Sequence, residues 1–261
     1  VVILFTSISS PINGITADMN PSFIPNSMYF DFETTFADKE HACAHMLPKT
    51  WDFAEGLTKL GINNSSKIVV YDDQELFSAP RVWWMLKALG HQQVYVLNGG
   101  LKAWRDAGNT VTHELAVSVR SKHPYQIDDK YQHVISKSTL RQYYANSDVN
   151  LVDARGPGRF SGVEPDPRKG VRAGHIPHSL NLHYQLLVTE GKLKSKDVLT
   201  QAFSQCLENY ANSKLIFSCG SGVTACILAL AAHEIGINDW VVYDGSWSEW
   251  GADQTCPVEQ T

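Results

Sequence analysis

Short apolar runs of four or five residues alternate along this chain with longer stretches whose apolar positions recur at helical spacing. Two passages share one grammar. "KIVVYDDQELFSAPRVWWMLKALG" (67–90) and "KLIFSCGSGVTACILALAAHEIG" (214–236) each set out a Lys, a buried β run, a turn, and a helix ending in Gly. Two more pairs follow at a near-constant separation: "VYVLNGGLKAW" (94–104) with "WVVYDGSWSEW" (240–250), and "FIPNSMYFD" (23–31) with "HIPHSLNLH" (175–183). "LVDARG" (151–156) opens the second half as "VILFTS" (2–7) opens the first. The chain therefore reads as a tandem duplication. Strands alternating with helices predict an α/β fold, each copy a mainly parallel sheet flanked by helices. Residues 109–134 show weak periodicity and scattered charge, which predicts a first domain over 1–115, a linker over 116–132 and a second domain over 133–261.

Composition narrows the function. With 261 residues, 43% of them hydrophobic, the chain is long enough for one large domain or two smaller ones. Its net charge of -5 supplies no basic field for nucleic acid, and no apolar run reaches the roughly 20 residues needed to cross a bilayer. Small-molecule partners are expected. The opening "VVILFTSISS" lacks a basic leader and reads as a buried strand, while the absence of an initiator Met fits a fragment or a processed form. Five cysteines, an odd number with no C-x-x-C spacing, point to a reducing compartment, the cytoplasm being the simplest.

The candidate chemistry lies in the second copy of the repeated turn. Cys219 closes an apolar run, and the successive N–H groups of Gly220 to Thr224 are expected to converge on one centre at a helix N-terminus. Such a nest favours an anion, and so a thiolate nucleophile. The first copy places Asp72 at that position, so only the second half is expected to be catalytic, and an acidic turn there should repel anions. Cys226 reads as a core residue. His175 and His178 read as packing and turn residues, and Trp83, Trp84, Trp104, Trp247 and Trp250 mainly as core, with Trp247 and Ser246 as possible pocket walls. Cys43, Cys206 and Cys256 carry no signal.

Several motifs together resemble the two-domain rhodanese superfamily, and within it the 3-mercaptopyruvate sulfurtransferases: "HMLP" (45–48), "LFSAPRVWWML" (76–86), "EPDPRKGVRAGHIP" (164–177), "GHIPHSLN" (174–181), "CGSGVTA" (219–225) and "YDGSWSEWG" (243–251). The uncharged loop, Cys219 through Gly220, Ser221, Gly222, Val223 and Thr224, is of the mercaptopyruvate type; thiosulfate enzymes typically carry Cys-Arg-Lys-Gly-Val-Thr. The resemblance implies sulfur transfer through a Cys219 persulfide, with Arg159 and Arg168 holding the donor's carboxylate and carbonyl. It also implies a proton relay of Ser221, His45 and Glu33, with Asp31 as the alternative carboxylate. Implied partners are 3-mercaptopyruvate and a sulfur acceptor such as thioredoxin, a small thiol or cyanide, for a monomer with no metal or organic cofactor. A thiosulfate sulfurtransferase and a non-catalytic sulfur carrier are the competing readings. A Cys-dependent phosphatase is excluded because residue 225 is Ala where that loop needs Arg.

Overall fold

In the computed structural model, which describes residues 1–9, 14, 20–127, 130–146, 148–207 and 213–261, the apolar runs of the first half become β1 (Val2–Phe5), β2 (Ser27–Tyr29), β3 (Ile68–Tyr71) and β4 (Val94–Val96). They form one sheet in the order β2-β1-β3-β4, every pair parallel. A parallel sheet is covered on both faces, which is why "IVVY" reads as a continuous apolar run and not as an alternation. Around it lie α1 (Thr50–Lys59), α2 (Ala79–Ala88) and α3 (Gly100–Asp106).

The second half repeats the plan. Its sheet contains β5 (Val134–Ile135), β6 (Val149–Asp153), β7 (Leu180–Asn181), β10 (Lys214–Ser218) and β11 (Trp240–Tyr243), in the order β5-β11-β10-β6-β7 and again all parallel. Read from the other edge, β7-β6-β10-β11 matches β2-β1-β3-β4, with β5 added outside. The remaining elements are α4 (Lys137–Tyr143), α5 (Pro157–Ser161), the short strands β8 (Val188–Thr189) and β9 (Lys192–Leu193), α6 (Lys196–Cys206), α7 (Ala225–Glu234) and α8 (Ser246–Trp250). By its internal contacts the chain divides into a first unit, residues 1–132 with 190–193, and a second, residues 133–189 with 194–261.

Two helices are apolar nearly all round and are buried accordingly. In α7 every residue from Ala225 to Ala232 is buried, and in α2 burial extends even to Arg81. Trp247 and Trp250 join Leu151, Ile216 and Tyr243 in the core of the second unit, while Trp83 and Trp84 are buried in the first. Each such side chain withdrawn from water contributes about 2 kcal/mol or more.

Two local features depart from expectation. Residues 116–127, read as linker, continue a strap that lies on the first unit from Thr112: Thr112 pairs with Phe23, the Ser121 N–H donates to Thr58 O (2.8 Å), and buried Tyr125 meets His91 Nδ1 at 2.8 Å. An extended strap anchored at single residues carries no period to read; linker residues 128 and 129 lie outside the described residues. In the turns after each Ile-Pro, Asn26 (φ 65°) and His178 (φ 63°) both take the left-handed conformation that glycine adopts most readily. In each, the following Ser hydroxyl donates to the Ile carbonyl at 2.6 Å, so one turn is built twice.

Candidate active site

In the second unit, Cys219 leaves the end of β10 and begins a turn that α7 completes. At the start of α7 the Cys226 N–H donates to Val223 O and the Ile227 N–H to Thr224 O. Gly222 sits at φ 76°, a left-handed conformation that glycine adopts without strain. Cys219 is 1% exposed and Ser221 is half-buried. Cys226 is fully buried with Sγ 3.1 Å from Gly222 O, a core residue as expected.

The turn is fastened to α8. Trp247 N–H donates to Cys219 O and Ser248 N–H to Gly220 O, each at 2.9 Å. Ser246 accepts the Cys219 N–H on its Oγ (3.1 Å), donates that hydroxyl to Tyr243 O (2.8 Å), and stands 4.0 Å from Cys219 Sγ. It does so with φ 49°, a strained value for a residue with a side chain, where the first unit has Gly100 at φ 52°. Behind α8, buried Arg155 is paired with Asp153 at 2.7 Å and lies 4.7 Å over the Trp247 ring.

Arg159, from α5, and Arg168, from the loop beyond it, converge on the same turn. A Cβ placed on Gly220 would lie 3.2 Å from Arg168 Nη2 and 3.3 Å from Arg159 Nη2, so glycine is what admits both guanidiniums. Between them lies Asp166, its carboxylate 1% exposed, 3.0 Å from Arg159 Nη2 and 3.1 Å from Arg168 Nη1. Asp166 and the hydroxyl bonds of Ser246 were not singled out from the sequence. The signals present are the "PDPR" run for Asp166 and, for Ser246, the repeat that aligns it with a glycine.

His45 and Glu33 form a separate group in the first unit. His45 Nε2 is 3.6 Å from Glu33 Oε1, and Glu33 also accepts the Ser9 N–H (2.9 Å) and hydroxyl (2.8 Å). Asp31 faces away from that role: its carboxylate caps the turn of Thr34 and Thr35, and although burial pushes its pKa up, those hydrogen bonds prevail and hold it below the usual range. Cys219, Gly220, Arg159 and Arg168 thus belong to one unit and His45 with Glu33 to the other.

The first unit's copy of the turn has a different occupant. The Asp72 carboxylate, 1% exposed, points inward and accepts N–H bonds from Gln74 (3.2 Å), Leu76 (3.0 Å), Ser78 (2.9 Å) and Ala79 (2.8 Å). Asp72 O takes the Leu101 N–H at 2.9 Å, as Cys219 O takes that of Trp247. The expected acidic, anion-repelling turn is therefore an anion nest filled by its own side chain.

The fold and this turn define a sulfur-handling class of domain. A model of the rhodanese-like domain matches residues 18–107 and 136–253, and the chain belongs to that family. It is 38% identical over 259 residues to the thiosulfate/3-mercaptopyruvate sulfurtransferase 1, mitochondrial, of Arabidopsis thaliana, covering 90% of this chain and 67% of that one. It is 37% identical over 236 residues to the 3-mercaptopyruvate sulfurtransferase of Escherichia coli K12, covering 90% and 83%. The crystal structure of SseA from Escherichia coli, described as a 3-mercaptopyruvate sulfotransferase, superposes with a TM-score of 0.81 at 30% identity over 95% of this chain and 93% of that one.

Proposed function

We propose that this chain is a 3-mercaptopyruvate sulfurtransferase that loads sulfur onto Cys219 and passes it to a thiol or to cyanide. The observation that carries the reading is the convergence of Arg159 and Arg168 on Gly220, next to the buried Cys219. A planar guanidinium pair suits the carboxylate and adjacent carbonyl of an α-keto acid, and a donor so held presents its sulfur to the thiolate.

In the reaction the Cys219 thiolate attacks the donor's sulfur. An S–S bond forms, the C–S bond breaks with its electron pair passing to the carbon, and pyruvate leaves as an enolate that takes up a proton. The persulfide rests under the loop amides until an acceptor thiolate, or cyanide, attacks its outer sulfur and Cys219 leaves as a thiolate. For the proton relay that the motifs imply, the contact of Glu33 with His45 inside the first unit supports Glu33 as the carboxylate. His45→Gln is expected to lower kcat about a hundredfold with KM little changed, measured across pH; an unchanged kcat and pH profile would remove His45 from the relay.

A thioredoxin or a small thiol is the acceptor class, and a monomer in the cytoplasm is the proposed state. Among the described residues no helix is long and apolar enough to cross a membrane. The test is cyanide-dependent sulfur transfer, with kcat/KM for 3-mercaptopyruvate expected about a hundredfold above that for thiosulfate. A preference for thiosulfate would overturn the donor assignment.

A further inference from the structure

We propose that Asp166 sets the donor specificity of this site by fixing its charge, an inference that rests on the sulfur-transfer reading above. Arg159 and Arg168 bring two positive charges to Gly220, more than a monoanionic α-keto acid requires. Asp166 cancels one of them. Its carboxylate is 1% exposed, while the arginine side chains are 14% and 34% exposed, so the negative charge is the most deeply buried of the three and the least screened by solvent. It is held from three directions: by Arg159 Nη2 at 3.0 Å, by Arg168 Nη1 at 3.1 Å, and by the Arg168 backbone N–H at 2.9 Å. The nearby charges of Glu164 and Lys169 are exposed and of opposite sign. They add little.

Apart from the Cys219 thiolate, which either donor meets alike, Asp166 and the two guanidiniums together carry one net positive charge. 3-Mercaptopyruvate brings one negative charge on its carboxylate and neutralises it. Thiosulfate brings two, and the surplus charge would sit uncompensated in a partly buried place, which is costly. The neutral Gly-Ser-Gly loop adds no cation to meet it. Discrimination is then a matter of repelling the wrong donor as well as holding the right one. The same carboxylate positions the two forks, so the test must separate charge from geometry.

The experiment compares kcat/KM for thiosulfate and for 3-mercaptopyruvate in wild type, Asp166→Asn and Asp166→Glu, with thermal melting of each. The ratio of thiosulfate to mercaptopyruvate is expected to rise about tenfold or more in Asp166→Asn, whose site carries two positive charges, and to stay near wild type in Asp166→Glu. A folded Asp166→Asn with an unchanged ratio, or an Asp166→Glu that shifts the ratio as far, would overturn the proposal. Should Asp166→Asn fail to melt cooperatively, competitive inhibition of the wild type decides: pyruvate binding at least as tightly as sulfate supports the single net charge, and tighter binding of the sulfate dianion refutes it. A wild type inactive with both donors would instead overturn the sulfur-transfer reading itself.

Discussion

Cys219→Ser is expected to reduce sulfur transfer from 3-mercaptopyruvate at least about a thousandfold while leaving the fold and melting temperature nearly unchanged. Serine fits the site sterically, since the Cys219 backbone is held through its N–H to Ser246 and its carbonyl to Trp247, neither of which involves the sulfur. What is lost is the nucleophile: a hydroxyl stays protonated where a thiol ionises, and an oxygen cannot store the transferred sulfur as a persulfide. The second readout is mass. Wild-type protein incubated with the donor alone should gain one sulfur atom on the peptide containing residue 219, and the variant should gain none. That peptide also contains Cys226, which is fully buried and directed at Gly222 O, so the fragment mass must place the sulfur at 219. Sulfur found on Cys226, or substantial turnover surviving in the variant, would end the proposed mechanism.

How much of this was legible beforehand follows from which signals are local. The duplication and the strand–helix alternation announced two parallel sheets, because a β run, a turn and a helix are each written in consecutive residues. The Cys219 turn was legible for the same reason. Asp166 was not, because its meaning depends on two guanidiniums brought to one point by the fold, and no spacing in "PDPRKG" shows that. Ser246 was hidden differently: only its left-handed backbone puts the hydroxyl on the Cys219 N–H, and Ser is not the residue type that advertises a positive φ. Asn26 and His178 are likewise unadvertised, since both hold the left-handed backbone without being glycine. The strap over residues 116–127 reads as linker because its anchors, Ser121 and Tyr125, act singly.

Asp72→Ala is expected to destabilise the first unit by about 3 kcal/mol, seen as an earlier first transition in urea or heat. Four N–H groups of the turn that leads into α2 end on this one buried carboxylate, and alanine leaves them without that acceptor. Burial pushes the Asp72 carboxyl up and the four donors pull against it, so the side chain is held by a convergence of amides. Asp72→Asn should recover only part of the loss, because its amide turns one acceptor into a donor aimed at other donors. The sharper discriminator is chemical rescue: formate supplies the missing carboxylate, and if the turn is an anion nest it should raise the stability of Asp72→Ala while leaving wild type unaffected. Loss of less than about 1 kcal/mol, with no response to formate, would mean the helix start tolerates its exposed amides unaided. Rescue would show that duplication preserved one anion-binding turn and gave it two fates, sealed by a side chain in the first unit and left for a reactive sulfur in the second.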